Sequence, residues 1–511
     1  MKLLRVLLVS TCLLVLGWGV SSANEIDRLV LQKLDADGLA CAQRCSDAVF
    51  VRRVTLDMIG TLPRLGEVRT FLERENPRKR AQLIDKLFAR DEFADYWAMK
   101  WCDILRVKAE FPSKLWPNAV QAYQRWLTDA IRENMPYDRF AHALLTTSGS
   151  NFRDPPVNFY RAVPERKPSA IATTVALTLM GQRADGWPAE RLNGMGAFFA
   201  RVGYKGTAEW KEEVVFFDLP RALKEGAPAG AVFPDGTVAA LAADRDPREV
   251  FADWLIGPDN PYFARNIVNR IWTWLIGRGL IHEPDDIRPD NPASQPELLA
   301  WLEKELVAHN YDLRHIYRLI LNSETYQRSC VPAEGAVGDP SGFSHYLVRR
   351  LEAEVLIDAI NQVTGGTEEY KSEIPEPFTF IPRQHRAITL GDGSITSPFL
   401  DMFGRPPRDT GLESERNNEP TDTQRLHLLN STHIQNKIQR GWALKALVKR
   451  AKWKPVPVIN QLYLTILSRH PTEAERKAAL AYADSGDLKR HEAFHDLAWA
   501  LINSKEFLYR H

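Results

Sequence analysis

Apolar positions along the chain recur chiefly at helical spacing. Residues 25–34, 47–59 and 78–88 each carry one apolar face and predict amphipathic helices of a few turns. Residues 91–107 predict a longer helix, because Phe93, Trp97, Trp101 and Leu105 fall four apart on a single face. The pattern continues over 116–134 and 137–147, with Pro136 between them. Residues 170–180 are apolar nearly all round, as a helix buried on every side has to be. Alternation at period two is scarce, and 214–217 is the clearest strand.

From 219 to 246 the sequence turns rich in Ala, Gly and Pro and marks a boundary. Helical periodicity returns over 247–256 and 262–276, where Ile267, Ile271 and Trp274 form a stripe and Asn266, Asn269 and Arg270 are polar interruptions suited to interior hydrogen bonding. Ser294-Gln295-Pro296-Glu297 reads as a capping box opening a helix over 297–309, and 312–322 and 346–363 follow. Residues 364–420 lose periodicity, and Thr421-Asp422-Thr423-Gln424 is a second capping box from which helices run to 508. The chain thus reads as mostly α: a multi-helix globular protein of two packed domains, 24–218 and 246–511, joined by a linker over 219–245, with a few short strands and a long irregular loop region.

Lys2, Arg5, an apolar run over 3–20 and Ser21-Ser22-Ala23 have the layout of a secretory signal peptide over residues 1–23, with an uncleaved anchor as the alternative. Composition fits an exported protein that spans no membrane once the signal is removed: 66 Lys plus Arg balance 65 Asp plus Glu, and mean hydropathy is −0.31. Such a balance offers no basic field for nucleic acid. A periplasmic or extracellular setting permits disulfides, and Cys41 and Cys45, in a loop-like stretch, are candidates for a short bridge. Cys102 falls on the Trp-rich helix face as a core thiol. No second cysteine pair gives zinc-finger spacing, so no metal site is expected, and without Cys-x-x-Cys-His there is no attachment point for covalent haem.

Phe50-Val51-Arg52-Arg53-Val54-Thr55-Leu56-Asp57-Met58-Ile59-Gly60-Thr61-Leu62-Pro63 resembles the opening of the planctomycete-type cytochrome-associated domain, PSCyt. The segment from Asn260 to Trp272, Gly277-Arg278-Gly279-Leu280, the segment from Leu321 to Gln327, Phe403-Gly404-Arg405-Pro406, Glu413-Ser414-Glu415-Arg416 and the ending Asn503-Ser504-Lys505-Glu506-Phe507-Leu508 resemble its usual partner, PSD. The resemblance implies an exported protein without an assigned activity. Many relatives carry Cys-x-x-Cys-His after Met-Gly-x-Arg; here Met180-Gly181-Gln182-Arg183 runs into Ala184-Asp185-Gly186-Trp187, which points to a haem-free branch with no cofactor.

Two polar clusters are the candidate ligand-binding residues. His282, Glu283, Asp285, Asp286 and Arg288 lie in one loop, suited to a hard cation or to acid–base work. Arg405, Arg408, Asp409, Glu413, Glu415 and Arg416 lie in another, suited to gripping an anionic or sugar ligand. The two loops are expected to meet in one cleft; the alternative for each is an ion-pair network that orders a loop. Trp116, Tyr123, Trp126, Phe152 and Tyr160 are either a carbohydrate groove or core. Two functions fit: a cell-envelope binding or assembly protein for glycan or another exported protein, or a hydrolase acting on a polysaccharide or sulfated substrate through carboxylates such as Glu413 and Glu415. Protein recovered from its native cell is expected to begin at Asn24; amino-terminal sequencing checks this, and a start at Met1 refutes it.

Overall fold

A computed structural model describes residues 23–334, 340–484 and 490–511, so all of the expected signal segment except Ala23 lies outside the described residues. The architecture is mostly α. The helix Asp47–Ile59 shows why. Ser46 accepts a hydrogen bond from the Val49 N–H at its start, and Gly60, at φ 57°, ends it. Gly60 cannot be replaced freely, because a Cβ there would come within 2.5 Å of the Tyr96 ring. From Phe50 to Ile59 every residue of this helix is buried, including Arg52, Arg53 and Asp57, so it passes through the middle of the molecule. The helices Asp91–Ile104, Pro117–Arg132 and Tyr137–Thr146 follow the expected apolar faces, and Pro168–Met180 is buried along most of its length.

Strands are few. Glu213–Phe217 is the centre of a three-stranded antiparallel sheet, flanked by Gly149–Ser150 and Val202–Gly206, with both Gly149 and Tyr204 opposite Val215. Arg349–Arg350 pairs with Tyr509–Arg510, which ties the end of the chain to its interior. The helix Leu65–Glu73 and the strand Val202–Gly206 have no counterpart in the sequence pattern. Nor is 219–245 bare chain. It holds the helix Leu219–Glu225 and a Val232–Val238 bridge, and Phe233 stacks on Phe198 and Trp254 with ring centroids 4.7 and 5.0 Å apart. One hydrophobic core runs through both halves.

Thr421 and Gln424 form their capping box as expected. Ser294 does not: its hydroxyl donates to the Leu280 carbonyl, and the helix Pro296–Ala308 starts from Gln295 without a side-chain cap. The expected Cys41–Cys45 bridge is absent too, and both thiols are free. The segment pairs edge to edge with other loops: the Ala42 N–H donates to Ser344, that of Cys45 to Gln327, and Gln43 accepts from Ser329. Four residues in such an extended stretch span about 13 Å, well past the roughly 7 Å at which a disulfide can close. Cys45 is buried, with its sulfur 3.9 Å from Arg80 Nη1, while Cys41 is exposed. Alkylation of the native protein is expected to label Cys41 and to reach Cys45 only on denaturation. A Cys41–Cys45 cross-linked peptide in a non-reducing mass spectrum would contradict this.

Candidate functional site

The irregular segment after Pro398–Met402 sends its arginines inward. Arg408 Nε lies 2.8 Å from Asp103 Oδ1, and Arg416 joins Asp103 and Glu354, both at 2.6 Å. Arg405 faces Glu354 at 3.4 Å. Beside them, Lys100 and Arg510 meet Glu352 at 2.9 and 2.6 Å, and Arg510 and Arg349 meet Asp57 at 3.1 and 3.2 Å. Tyr326 and Tyr346 donate their hydroxyls to Asp57. Most of these side chains are almost fully enclosed.

Electrostatics follow from burial and pairing together. Burial raises the Glu352 carboxyl, but the charges of Arg510 and Lys100 outweigh it and hold the group well below its ordinary value. Asp103 and Glu354 are likewise raised by burial and lowered further by Arg416 and their other arginine neighbours. Arg405 is pushed down to about 10, by burial first and by Arg408 second, and stays cationic at neutral pH.

The two predicted loops touch where the Glu413 backbone meets Asp285. The Glu413 N–H donates to Asp285 Oδ2 at 2.6 Å, while Asp285 is fully buried against Arg270 at 2.5 Å. Arg288 is exposed and pairs locally with Asp286 and Asp290, and His282 and Glu283 remain at the surface, 3.7 Å apart. Glu413 accepts from Trp274 Nε1, Glu415 caps the Asp409 and Thr410 N–H groups, and Asp409 pairs with Lys108 at 2.7 Å. Glu413 and Glu415 therefore serve separate partners. The bracing role expected for Asn266, Asn269 and Arg270 is realised: Asn266 donates to Thr178, Asn269 exchanges two hydrogen bonds with Ile281, and Arg270 donates to Asn266. Cys102 is enclosed, and burial pushes its thiol up to about 12, as suits an unreactive core residue.

Sequence reading missed the partners of the arginines. Asp103 and Lys100 sit on the Trp-rich helix, and Glu352 and Glu354 flank Ala353 inside an apolar run. A charge inside an apolar periodicity was the available signal, since such a group needs a buried counter-charge.

Of the candidate aromatics, Tyr123 and Tyr160 are core. Trp116 is half-buried and joins Trp210 and Phe378, with ring centroids 6.4 and 5.4 Å from its own. Trp210 is 64% exposed, and Phe111, five residues before Trp116 in the same loop, is 73% exposed. Lys211 Nζ stands 5.2 Å from the Trp116 ring and 5.1 Å from that of Trp210, and Lys114 stands 5.3 Å from Phe111. Lys114, Trp116 and Lys211 all take positive φ, 53°, 71° and 62°, a conformation that side-chain-bearing residues adopt only when the surroundings impose it. A separate groove of about 290 Å³ lies between the Asp47–Ile59, Leu65–Glu73 and Lys79–Phe88 helices, lined by Val51, Phe71, Leu83 and several basic side chains. Among the described residues, Glu305, His309 and His315 bring one possible donor atom each within 4.8 Å of one another, but the two imidazoles stack 17° from parallel and His309 Nδ1 faces the Glu305 carbonyl at 2.9 Å.

Fold and site together define a mostly helical protein in which the side chains of the two predicted polar loops are engaged largely in ion pairs and hydrogen bonds. Residues 25–185 match PSCyt2, a protein of unknown function (DUF1549), and residues 247–483 match PSD1, a protein of unknown function (DUF1553). The chain thus carries both domains, in that order along the sequence. Searches of curated proteins and of solved structures find no match to it.

Because the lattice is buried, Arg416→Ala and Asp103→Ala are each expected to cost about 3–5 kcal/mol in urea unfolding, since each strands a buried charge. A loss below about 1 kcal/mol would mean that the pair is solvated. Glu352 and Glu354 are depressed in the folded state, so their stabilisation is complete above pH 4.5, the unfolded value, and is lost as pH falls below it. Calorimetry from pH 7 to pH 3 is expected to show the melting temperature dropping on the acid side.

Proposed function

We propose that this is an exported, haem-free binding protein of the cell envelope, and that its ligand is a glycan chain held on the surface formed by Trp116, Trp210 and Phe378, with Phe111 on the same loop as Trp116. The exposed aromatic cluster carries the reading. Single exposed apolar side chains are ordinary, but a contiguous exposed patch of large rings marks an interaction surface. A sugar ring offers one face of C–H groups that packs on an aromatic ring, while its hydroxyls need polar neighbours, and Lys114 and Lys211 stand over these rings. Backbone held at positive φ in the two loops that carry the lysines keeps the surface shaped before a ligand arrives. The hydrolytic alternative calls on Glu413 and Glu415, which are engaged with Trp274 and with backbone N–H groups.

Affinity electrophoresis through gels containing neutral or acidic polysaccharides tests the reading. The wild-type protein is expected to be retarded by at least one polysaccharide. Trp210→Ala is expected to abolish the retardation while shifting the melting temperature by no more than about a degree or two, as for an exposed position. Unretarded migration of the wild type in every gel, or full retardation of a Trp210→Ala/Phe378→Ala variant, would sink it.

A further inference from the structure

The balance of charge over the whole chain conceals a local excess. Residues 423–472 hold nine Lys or Arg and no Asp or Glu. Three of the nine are engaged: Arg425 with Asp422, Lys437 with Glu368, and Arg469 with Glu475 and Glu506. The other six, Arg440, Lys445, Lys449, Arg450, Lys452 and Lys454, are exposed and form no ion pair among the described residues.

Local structure gathers them on one face. The helix Trp442–Arg450 buries Leu444, Leu447 and Val448, the side that packs on Ala353–Thr364 and Pro455–Ile466. At 3.6 residues per turn, Trp442, Lys445, Lys449 and Arg450 fall on the opposite side. Trp442 is 68% exposed, yet its indole is seated against the chain, because a Cβ on Gly365 would come within 2.6 Å of its Nε1. Past the helix, Lys452 and Trp453 take φ 51° and 57° and turn the chain toward Pro455. The Trp453 N–H donates to the Val448 carbonyl and that of Lys454 to Ala451, so the turn is held, with Trp453 50% exposed. Two indoles thus stand at either end of a basic helix about 13 Å long.

Uncompensated positive charge on an exposed face calls for an anionic partner. Lys445 shares the surroundings of His495 with Glu492 and Asp496, which leaves Lys449, Arg450, Lys452 and Lys454 as the excess. The rings decide which anion fits. Trp442 and Trp453 make no ring contact with another aromatic side chain among the described residues, so they build no stacked platform like that of Trp116, Trp210 and Phe378. Separate indoles flanking a row of cations match a bilayer surface instead. Anionic headgroups attract a polybasic segment over a plane, and the zone just beneath them is where indole, apolar with one polar N–H, partitions. Val456, exposed just after the turn, adds apolar area beside Trp453.

We infer that this face docks the protein on an anionic lipid bilayer, with the cations against the headgroups and Trp442 and Trp453 in the interface. The contact is peripheral: among the described residues no helix is long and apolar enough to cross a membrane. It shares no residue with the Trp116 surface and stands or falls separately from it. Protein beginning at Asn24, which lacks the apolar leader, is sedimented with vesicles of phosphatidylcholine alone and of phosphatidylcholine mixed with phosphatidylglycerol. Binding is expected to the mixed vesicles and not to the neutral ones, and high salt is expected to release it. Lys449→Glu/Arg450→Glu is expected to weaken binding at least about tenfold, and Trp442→Ala at least about threefold. Arg69→Glu/Arg74→Glu, an equal charge change at exposed positions elsewhere, is expected to leave it unaltered. Thermal melts confirm that each variant is folded, and Lys452→Glu/Lys454→Glu serves if the first charge reversal is not. Failure of the wild type to bind mixed vesicles, equal binding to both kinds, or equal losses in the two charge-reversed surfaces would overturn the inference. So would capture by soluble dextran sulfate without vesicle binding, which would make the partner an acidic polymer.

Discussion

Arg405, Arg408 and Arg416 leave a stretch without regular structure and converge on Asp103 and Glu354, and the packing of the protein's centre follows from that convergence. A guanidinium carries several N–H donors and no acceptor. Once buried it needs more oxygen than a carboxylate supplies, and here main chain supplies much of the rest. Arg405 donates to the carbonyls of Ile395 and Asp392, and Arg408 to those of Leu390, Gly391 and Val107. Arg350 donates to Phe403, Asn417 and Asn418, Arg52 to Ile466 and Phe507, and Arg53 to Tyr326, Arg328 and His511. Loop carbonyls have no helix or sheet partner, and burying them unpaired costs free energy. Each need answers the other, and that is how a long irregular segment can pass through the interior of a mostly helical protein.

The same lattice decides where ligand chemistry can and cannot sit. Arginines and carboxylates in one short segment suggest an open anion cleft when only the sequence is in view. In the fold those charges neutralise one another across helices far apart in the chain, with Asp103 on Asp91–Ile104 and Glu354 on Ala353–Thr364. A carboxylate held well below its ordinary range by two or more cations is a poor proton donor and a committed partner. The lattice therefore serves stability and register. Groups free to meet a ligand, such as the rings of Trp210 and Phe111, lie outside it.

Helices were legible because their apolar faces are long and their ends are signalled. The Trp-rich helix, the all-apolar Pro168–Met180 helix with Gly181 behind it, and the Thr421–Gln424 box all match their sequence patterns. Leu65–Glu73 was not legible, since Val68 and Phe71 are its buried residues and two positions make too short a stripe to register. Val202–Gly206 lacks an alternating pattern because it is a half-exposed edge strand. For the site, sequence supplied the arginines and the contact between the two loops but not the direction of the arginines, which depends on Asp103, some three hundred residues away.

Lattice and aromatic surface are mechanically continuous. Arg408 binds the Val107 carbonyl at the start of the loop that carries Phe111 and Trp116, and the Gly393 N–H donates to the same carbonyl. Further along, Asp392 accepts the Ala109 N–H and Ser394 accepts that of Glu110, while Lys108 pairs with Asp409. Asp392 in turn offers its own carbonyl to Arg405. The loop is thus clamped at successive residues by the segment that the buried arginines hold. On the far side the sheet hairpin carrying Trp210 and Lys211 is fixed by Asn151, which donates to the Lys211 carbonyl and accepts the Glu213 N–H. Exposed rings on independent flexible loops would lose conformational freedom on meeting any partner. Rings on loops braced this closely have already lost it during folding, so the burial of charge at the centre would lower the entropic cost of any partner meeting them.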